Sequence, residues 1–152
     1  MLELKNVEGN VKFNCEVIGY QFPASKKDDW CLLKVAIEQA GDHCELIDPA
    51  IETTELEQLY NWFSCLAEKT LPRYAHLTFT EPCISFEFLA YRNGLVRMAV
   101  HLGHELTPNF KLKQFRSEVS EWVIIFELAE IQFKDILEGI QATLSKYPVR
   151  GS

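Results

Sequence analysis

Four segments of the chain alternate apolar and more polar residues with a period of two, and this alternation limits the possible folds more than any other sequence feature. The apolar positions are Val11, Phe13, Cys15 and Val17; Cys31, Leu33, Val35 and Ile37; Ile84, Phe86, Phe88 and Ala90; and Val96, Met98, Val100 and Leu102. Successive side chains of a strand point to opposite faces, so each run has one apolar face. The pattern is typical of antiparallel strands with one face on the core.

The remaining elements follow from shorter patterns. Further strands are predicted at 2–5, 44–47 and 76–80, and the segment 122–126 is apolar on both faces, which predicts a central strand. Helices are predicted at roughly 54–68, where Thr54 and Glu57 fit a capping box, and at 130–146, before Pro148. We therefore expect an α+β fold, mostly an antiparallel β-sheet of about eight strands with two α-helices. A chain of 152 residues is expected to form a single domain, 1–152.

The alternation of apolar residues can be used to choose between two loop lengths for the turn at Asn93-Gly94. A two-residue loop would place Phe88 across from Ala99 and mix the two faces of the hairpin. A three-residue loop, with Gly94 in the left-handed region, places Phe88 with Met98 on one face. Because burying such a side chain contributes roughly 1.5 to 3 kcal/mol, the second register is predicted, with a type I turn and a glycine bulge.

The net charge limits the classes of partner, and the cysteine content indicates the state of the thiols. The formal net charge of −7 argues against nucleic acid or an anionic membrane as the main partner, because both would repel the chain. The five cysteines form an odd set with no CxxC pair, which predicts reduced, mostly buried thiols. The first residues lack the apolar stretch of a signal peptide, so we expect a cytoplasmic protein.

The segment His101 to Glu105 is the strongest candidate for chemistry. Two imidazoles and a carboxylate are common zinc ligands, but His101 and His104 would project to opposite faces of a strand, and an HExxH order is missing. Nucleophile elbows and phosphate-binding glycine loops are missing as well, so we predict no catalytic residue, no metal and no cofactor. An alternative function stays open: a small-ligand-binding or metal-dependent domain in which His101, His104 and Glu105 form a pocket mouth near Tyr20 and Trp30.

An acidic stretch is the most distinctive charge feature. No lysine or arginine lies between Lys34 and Lys69, whereas eight acids do: Glu38, Asp42, Glu45, Asp48, Glu52, Glu55, Glu57 and Glu68. This stretch is either a solvated face with helix N-terminal acids or a docking surface for a basic protein.

A segment rich in aromatics, GYQFPASKKDDW over residues 19–30, fits neither a helix nor a strand. Pro23 fixes its own φ angle and favours an extended Phe22, so Tyr20, Phe22 and Trp30 are predicted to fold inward. Residues 24–29 then form an exposed tip, whose charges are a secondary candidate for partner contact.

Several landmarks in order make the chain resemble the WapI-type immunity proteins of bacteria. They are GYQFP with the following DDW, Asp48-Pro49, residues 53–56 (TTEL), residues 79–86 (FTEPCISF), His104-Glu105, the strand at 122–126 and the final helix ending in YPVR. The resemblance implies a non-enzymatic cytoplasmic protein that binds the toxic C-terminal domain of a contact-dependent or polymorphic toxin. It supplies no catalytic residues. We expect neutralisation by occlusion, with contacts from Asp42, Glu45, Glu52, Glu55 and Glu57.

Overall fold

A computed structural model describes residues 1–6, 9–112 and 122–150, which form eight strands and two α-helices. The strands are β1 (Leu2–Lys5), β2 (Val11–Tyr20), β3 (Trp30–Gln39), β4 (Asp42–Glu52), β5 (His76–Leu77), β6 (Ile84–Arg92), β7 (Leu95–Leu102) and β8 (Trp122–Leu128). The helices are α1 (Thr53–Ala67) and α2 (Glu130–Lys146), and a short 3₁₀ helix covers His104–Leu106. The predicted α+β class, the strand number and both helices are confirmed.

The strands form two antiparallel sheets of four, in the orders β1-β2-β3-β4 and β5-β6-β7-β8. Each sheet turns one apolar face inward, as the alternation predicts, and one cluster of buried side chains takes in both sheets and both helices. Phe13 of the first sheet and Phe126 of the second meet there, with ring centroids 6.0 Å apart. The helices pack against each other, α1 beside β4 and α2 beside β1.

The prediction that the segment 122–126 is a central strand is wrong. Within the described ranges, β8 stands at the end of its sheet and pairs with β7 alone. The apolar residues on its second face, Val123 and Ile125, are half-buried rather than buried.

The β6–β7 hairpin has the predicted core register but reaches it by a different route. Phe86 lies opposite Val100 and Phe88 opposite Met98, as predicted. The loop, however, has two residues, with φ values of 53° at Asn93 and 76° at Gly94 that fit a type I′ turn. A bulge between Phe88 and Ala90 restores the register, so the predicted type I turn with its glycine bulge is wrong.

Helix α1 begins one residue earlier than predicted, and its cap differs. The N-cap is Glu52, whose backbone N–H donates to the Glu55 carboxylate at 2.9 Å, so the capping box predicted at Thr54 is wrong in its position. The buried face of α1 contains Leu56, Leu59, Trp62, Phe63 and Leu66. On α2 the buried residues are Phe133, Ile136 and Ile140.

The aromatic segment between β2 and β3 is held by the C-terminal residues as well as by the core, against which Tyr20 packs. Phe22 is 52% exposed, so the prediction that it folds inward is wrong. Tyr20 instead packs edge-on against Tyr147 at 5.4 Å, and the Arg150 guanidinium lies 3.5 Å from the Tyr20 ring centroid. Arg150 also donates to the backbone carbonyls of Phe22, Pro23 and Asp28. The loop carbonyls thus bind one guanidinium that is 120 or more residues away in the sequence.

Replacing Arg150 by alanine is expected to loosen this loop selectively. Several charge-assisted hydrogen bonds are lost at once, so we expect the free energy of unfolding to fall by about 2 kcal/mol. The amides of Gln21 and Ser25, which donate within the loop, should exchange faster with solvent. Hydrogen exchange measured by NMR checks this, with Arg73→Ala, at an exposed arginine, as the matched control. Unchanged exchange at both amides would show that the loop orders itself.

Candidate functional site

The acids of β4 and α1 are the residues that are predicted from the sequence to contact a partner. Asp42, Glu45 and Glu57 are exposed, and Glu52 is half-buried at the N-cap of α1. Because β4 spans 11 residues that rise about 3.3 Å each, Asp42 and Glu52 lie roughly 33 Å apart. The acids therefore form two groups at opposite ends of the strand rather than one compact patch.

At the hairpin end, Glu45 carries the local ion pairs. Its carboxylate lies 3.8 Å from the Lys34 ammonium and 3.5 Å from the His43 imidazole. Both pairs are well exposed, so each contributes little to stability. The Glu45 carboxylate is consequently free to exchange these partners for a cation on another molecule.

At the helix end, Glu55 has a structural role that its sequence position did not reveal. Its side chain is buried, with 6% of the residue exposed. One carboxylate oxygen accepts from the backbone N–H of Glu52 at 2.9 Å and the other from that of Thr80 at 2.8 Å. Glu55 therefore joins the start of α1 to the connection between β5 and β6.

The neighbouring Glu52 lies in a locally negative environment. Partial burial raises the pKa of its carboxyl above the usual value, and the charges of Glu55, Asp29 and Asp28 raise it further. Asp28 and Asp29 come from the loop before β3, which runs beside Glu52 because Trp30 pairs with it across the sheet. The helix end thus brings several carboxylates close to one another beside Arg150, whose guanidinium donates to the Asp28 carbonyl and whose backbone N–H donates to the Asp29 carboxylate.

The three residues of the alternative ligand site, His101, His104 and Glu105, do not form one group. The His101 imidazole hydrogen-bonds to Glu87 at 2.9 Å and its ring lies 4.8 Å from that of His76. His104 is exposed at the start of the 3₁₀ helix, whereas Glu105 accepts from the Cys83 thiol at 3.2 Å. The structure therefore gives no support to a shared site for these three side chains.

Glu105 belongs instead to a cluster with Asp48 and Cys83. This cluster was not predicted from the sequence. Its three donor atoms lie within 4.8 Å of one another, and the Cys83 sulfur is 3.7 Å from the Asp48 carboxylate. Among the described residues, this is the only group of three side chains placed to hold a metal ion. The separations of 35 and 22 residues explain why no local motif reveals it.

The electrostatics of this cluster raise the pKa of two members and lower that of the third. Burial raises the pKa of the Cys83 thiol to about 12, and its hydrogen bond to Glu105 acts in the same direction. Burial also raises the pKa of Asp48, and the negative charge of Glu105 adds to this. The Glu105 pKa is lowered by hydrogen bonds from its own backbone amide and from the Cys83 thiol. Cys83 is thus a neutral donor that separates two carboxylates.

Replacing Asp48 by asparagine is expected to stabilise the protein at neutral pH. A carboxyl whose pKa is raised by folding contributes most below its unfolded pKa, and this contribution is lost as the pH rises through the folded pKa. Because Asp48 is partly solvated, we expect a gain in Tm of only about 1–2 °C at pH 7 and no gain near pH 3. Thermal unfolding across this pH range checks the expectation, with Asp42→Asn on the same strand as control. A lower Tm at pH 7 would contradict it.

These features define a small, acidic, two-sheet α+β protein. The model of the immunity protein WapI-like family matches residues 3–148, nearly the whole chain. The chain therefore belongs to the immunity protein WapI-like family, which supports a role as an immunity protein and implies a toxin protein as its partner. Comparison with curated proteins and with solved structures gave no match. Neither described helix has both the length and the apolar character needed to cross a bilayer.

Proposed function

We propose that this chain is a non-enzymatic immunity protein of the cytoplasm that binds the toxic C-terminal domain of a cognate bacterial toxin. The observation that carries the proposal is the family match over residues 3–148. The toxin is neutralised by occlusion, in which the bound immunity protein covers the toxin's active site or the surface that reaches its substrate. The chain acts as one domain, and its partner is a protein rather than nucleic acid or a membrane.

The exposed acids support a basic partner surface. Asp42, Glu45, Glu52 and Glu57 are proposed as contact residues, because complementary charge accelerates encounter and disfavours wrong partners. Glu55 was expected among them, but its carboxylate already binds two backbone N–H groups, so its role in binding is indirect. The acids set the association rate, while buried apolar anchors supply most of the affinity.

Co-expression tests the proposal. The toxic C-terminal domain of the cognate toxin is expressed with and without this chain, and growth is followed. We expect rescue of growth and co-purification of a stoichiometric complex. A catalytically inactive toxin variant provides the purification control, because it removes selection against free toxin. Failure to rescue growth, together with the absence of a purified complex, would overturn the proposal.

Charge reversal tests the acidic contacts separately. Combining Asp42→Lys with Glu45→Lys is expected to lower the association rate constant by about tenfold at low salt, with a smaller change in dissociation. The difference should shrink in high salt, since these carboxylates are exposed. Stopped-flow or surface plasmon resonance kinetics measure it. Glu68→Lys, an exposed acid at the other end of α1, is the matched control, and equal rates for all variants would exclude a role for the hairpin end.

A further inference from the structure

The outer face of the first sheet carries an apolar strip that the described residues leave exposed. The strand register sets Lys34 of β3 opposite Glu16 of β2 on one side and Ile47 of β4 on the other. Leu32 of β3 pairs with Gly19, the residue after Ile18. Ile18 and Ile47 are 42% and 55% exposed, and Leu32 between them is half-buried. Large aliphatic side chains grouped on one solvent-facing sheet are a feature of protein-binding surfaces.

Acidic side chains surround this strip. Glu16 lies beside Ile18 on β2, and Glu45 lies two residues before Ile47 on the same face of β4. Glu3 of β1 lies on the same face of the sheet, because it pairs with Asn14 of β2. Within the described parts of the chain, Glu3 and Glu16 form no ion pair, whereas Glu45 pairs with Lys34. Lys5, Lys12 and Lys34 lie on the same face, so it combines an apolar centre with a surround of mixed charge, in which Glu3 and Glu16 lie towards β1.

A groove of about 450 Å³ extends this face at the β1 edge of the sheet. It lies between β1 and the first turns of α2, and Glu3, Glu16 and Asp135 supply three carboxylates to its lining. Asn14 and Gln132 add neutral hydrogen-bonding groups. Among the described residues β1 pairs with β2 alone, so its other edge faces this space. The groove can accept a cationic side chain or a short extended segment.

The acids on the outer face of the second sheet differ in their pairing. There Glu87 pairs with His101 at 2.9 Å, and Glu127 pairs with Arg97 at 3.0 Å. These acids thus have cationic or imidazole partners on their own face. On the first sheet, in contrast, Glu3 and Glu16 form no ion pair among the described residues, although three lysines, Lys5, Lys12 and Lys34, lie on the same face.

The size of the face also fits a protein partner. Three strands of 10 or 11 residues, about 33 Å long and about 4.8 Å apart, together with the four-residue β1 present roughly 500 Å². A standard stable interface buries about 800 Å² on each partner. The sheet face together with the adjoining groove reaches this range, which a small ligand would not fill.

We infer that the cognate toxin domain docks on the outer face of the first sheet, with Ile18 and Ile47 as apolar anchors. Lysine or arginine side chains of the toxin enter the groove and bind Glu3, Glu16 and Asp135. This inference rests on the proposed function, and it names the surface and the chemistry of the partner: an apolar contact flanked by basic groups. Glu45 belongs to the same face, so the hairpin-end acids lie at its border.

Alanine substitution tests the anchors. Combining Ile18→Ala with Ile47→Ala is expected to weaken toxin binding at least 30-fold, because truncated anchors at the centre of an interface cost most of the affinity. Both side chains are solvent-exposed, so the Tm should change little. Leu89→Ala, an exposed aliphatic residue on the second sheet, is the matched control and should bind like the wild type. Calorimetric Kd values for the inactive toxin domain decide between these outcomes.

Charge reversal tests the groove. Glu16→Lys with Asp135→Lys should weaken binding at least tenfold and reduce its salt dependence, whereas Glu68→Lys should not.

If the double alanine variant and the double lysine variant both bind the toxin like the wild type, the inference is overturned while the proposed function stays intact. If the wild type itself fails to bind the toxin, both fail. A concentration-dependent dimer in light scattering, abolished by the Ile18 and Ile47 changes, would also overturn it, since a second copy would then cover this face.

Discussion

Replacing Glu55 by alanine is expected to lower the free energy of unfolding by about 3 kcal/mol, which is about 6–12 °C in Tm for a chain of this size. The carboxylate is buried and accepts from the backbone N–H groups of Glu52 and Thr80. Its removal leaves two N–H donors at the junction of α1 with the β5–β6 connection without their acceptor. Thermal and urea unfolding measure the loss.

The matched control is Glu57→Ala, two residues further along α1 and exposed, which should stay within about 0.5 kcal/mol of the wild type. Glu55→Gln keeps one acceptor oxygen and should fall between the wild type and alanine. These variants also separate a structural role from a contact role. An unchanged Tm with weakened toxin binding for Glu55→Ala would favour direct contact and contradict the structural role.

Replacing Phe86 by alanine is expected to cost about 3–5 kcal/mol, the largest effect predicted for this protein. Phe86 is 1% exposed and its ring lies 5.9 to 6.2 Å from those of Trp62, Phe63 and Phe79. Two of these rings belong to α1, so Phe86 connects that helix to the second sheet. Since small domains are stable by only about 5–15 kcal/mol, urea unfolding should show a strongly reduced midpoint.

Phe22→Ala is the matched control, because the same side chain is half exposed there and should cost less than about 0.5 kcal/mol. Phe86→Leu provides a milder variant, expected to cost about 1–1.5 kcal/mol, should the alanine variant fail to fold. Equal midpoints for Phe86→Leu and the wild type, together with a small effect of Phe86→Ala, would show that the aromatic cluster contributes little to stability.

The strands could be read from the sequence because their signal is local. Alternation at 11–17, 31–37, 84–90 and 96–102 marks a buried face without knowledge of any partner, and the structure places strands over all four segments. The hairpin shows where this signal ends. The requirement to keep Phe88 with Met98 predicted the core register, but a bulge near Leu89 satisfies it as well as a longer turn does. Periodicity specifies which faces meet and not where the extra residue lies.

The candidate site was less predictable, because burial and convergence are properties of the folded chain. Glu55 and Glu57 look alike in the sequence, yet one is buried and one exposed. The pattern that marked β4 and α1 as acidic gave no indication that the acids separate into two groups along the strand. The cluster of Asp48, Cys83 and Glu105 depends on contacts between segments far apart in the chain.

The sequence by itself determined the α+β class, the two helices, most strands and the acidic character, since these depend on periodicity and composition over short windows. The tertiary structure alone decided the division into two sheets, the capture of the β2–β3 loop by Arg150 and the placing of the exposed Ile18 and Ile47 on one face. The physical reason is that side-chain alternation is encoded residue by residue. Which faces are then covered depends on how the chain packs against itself.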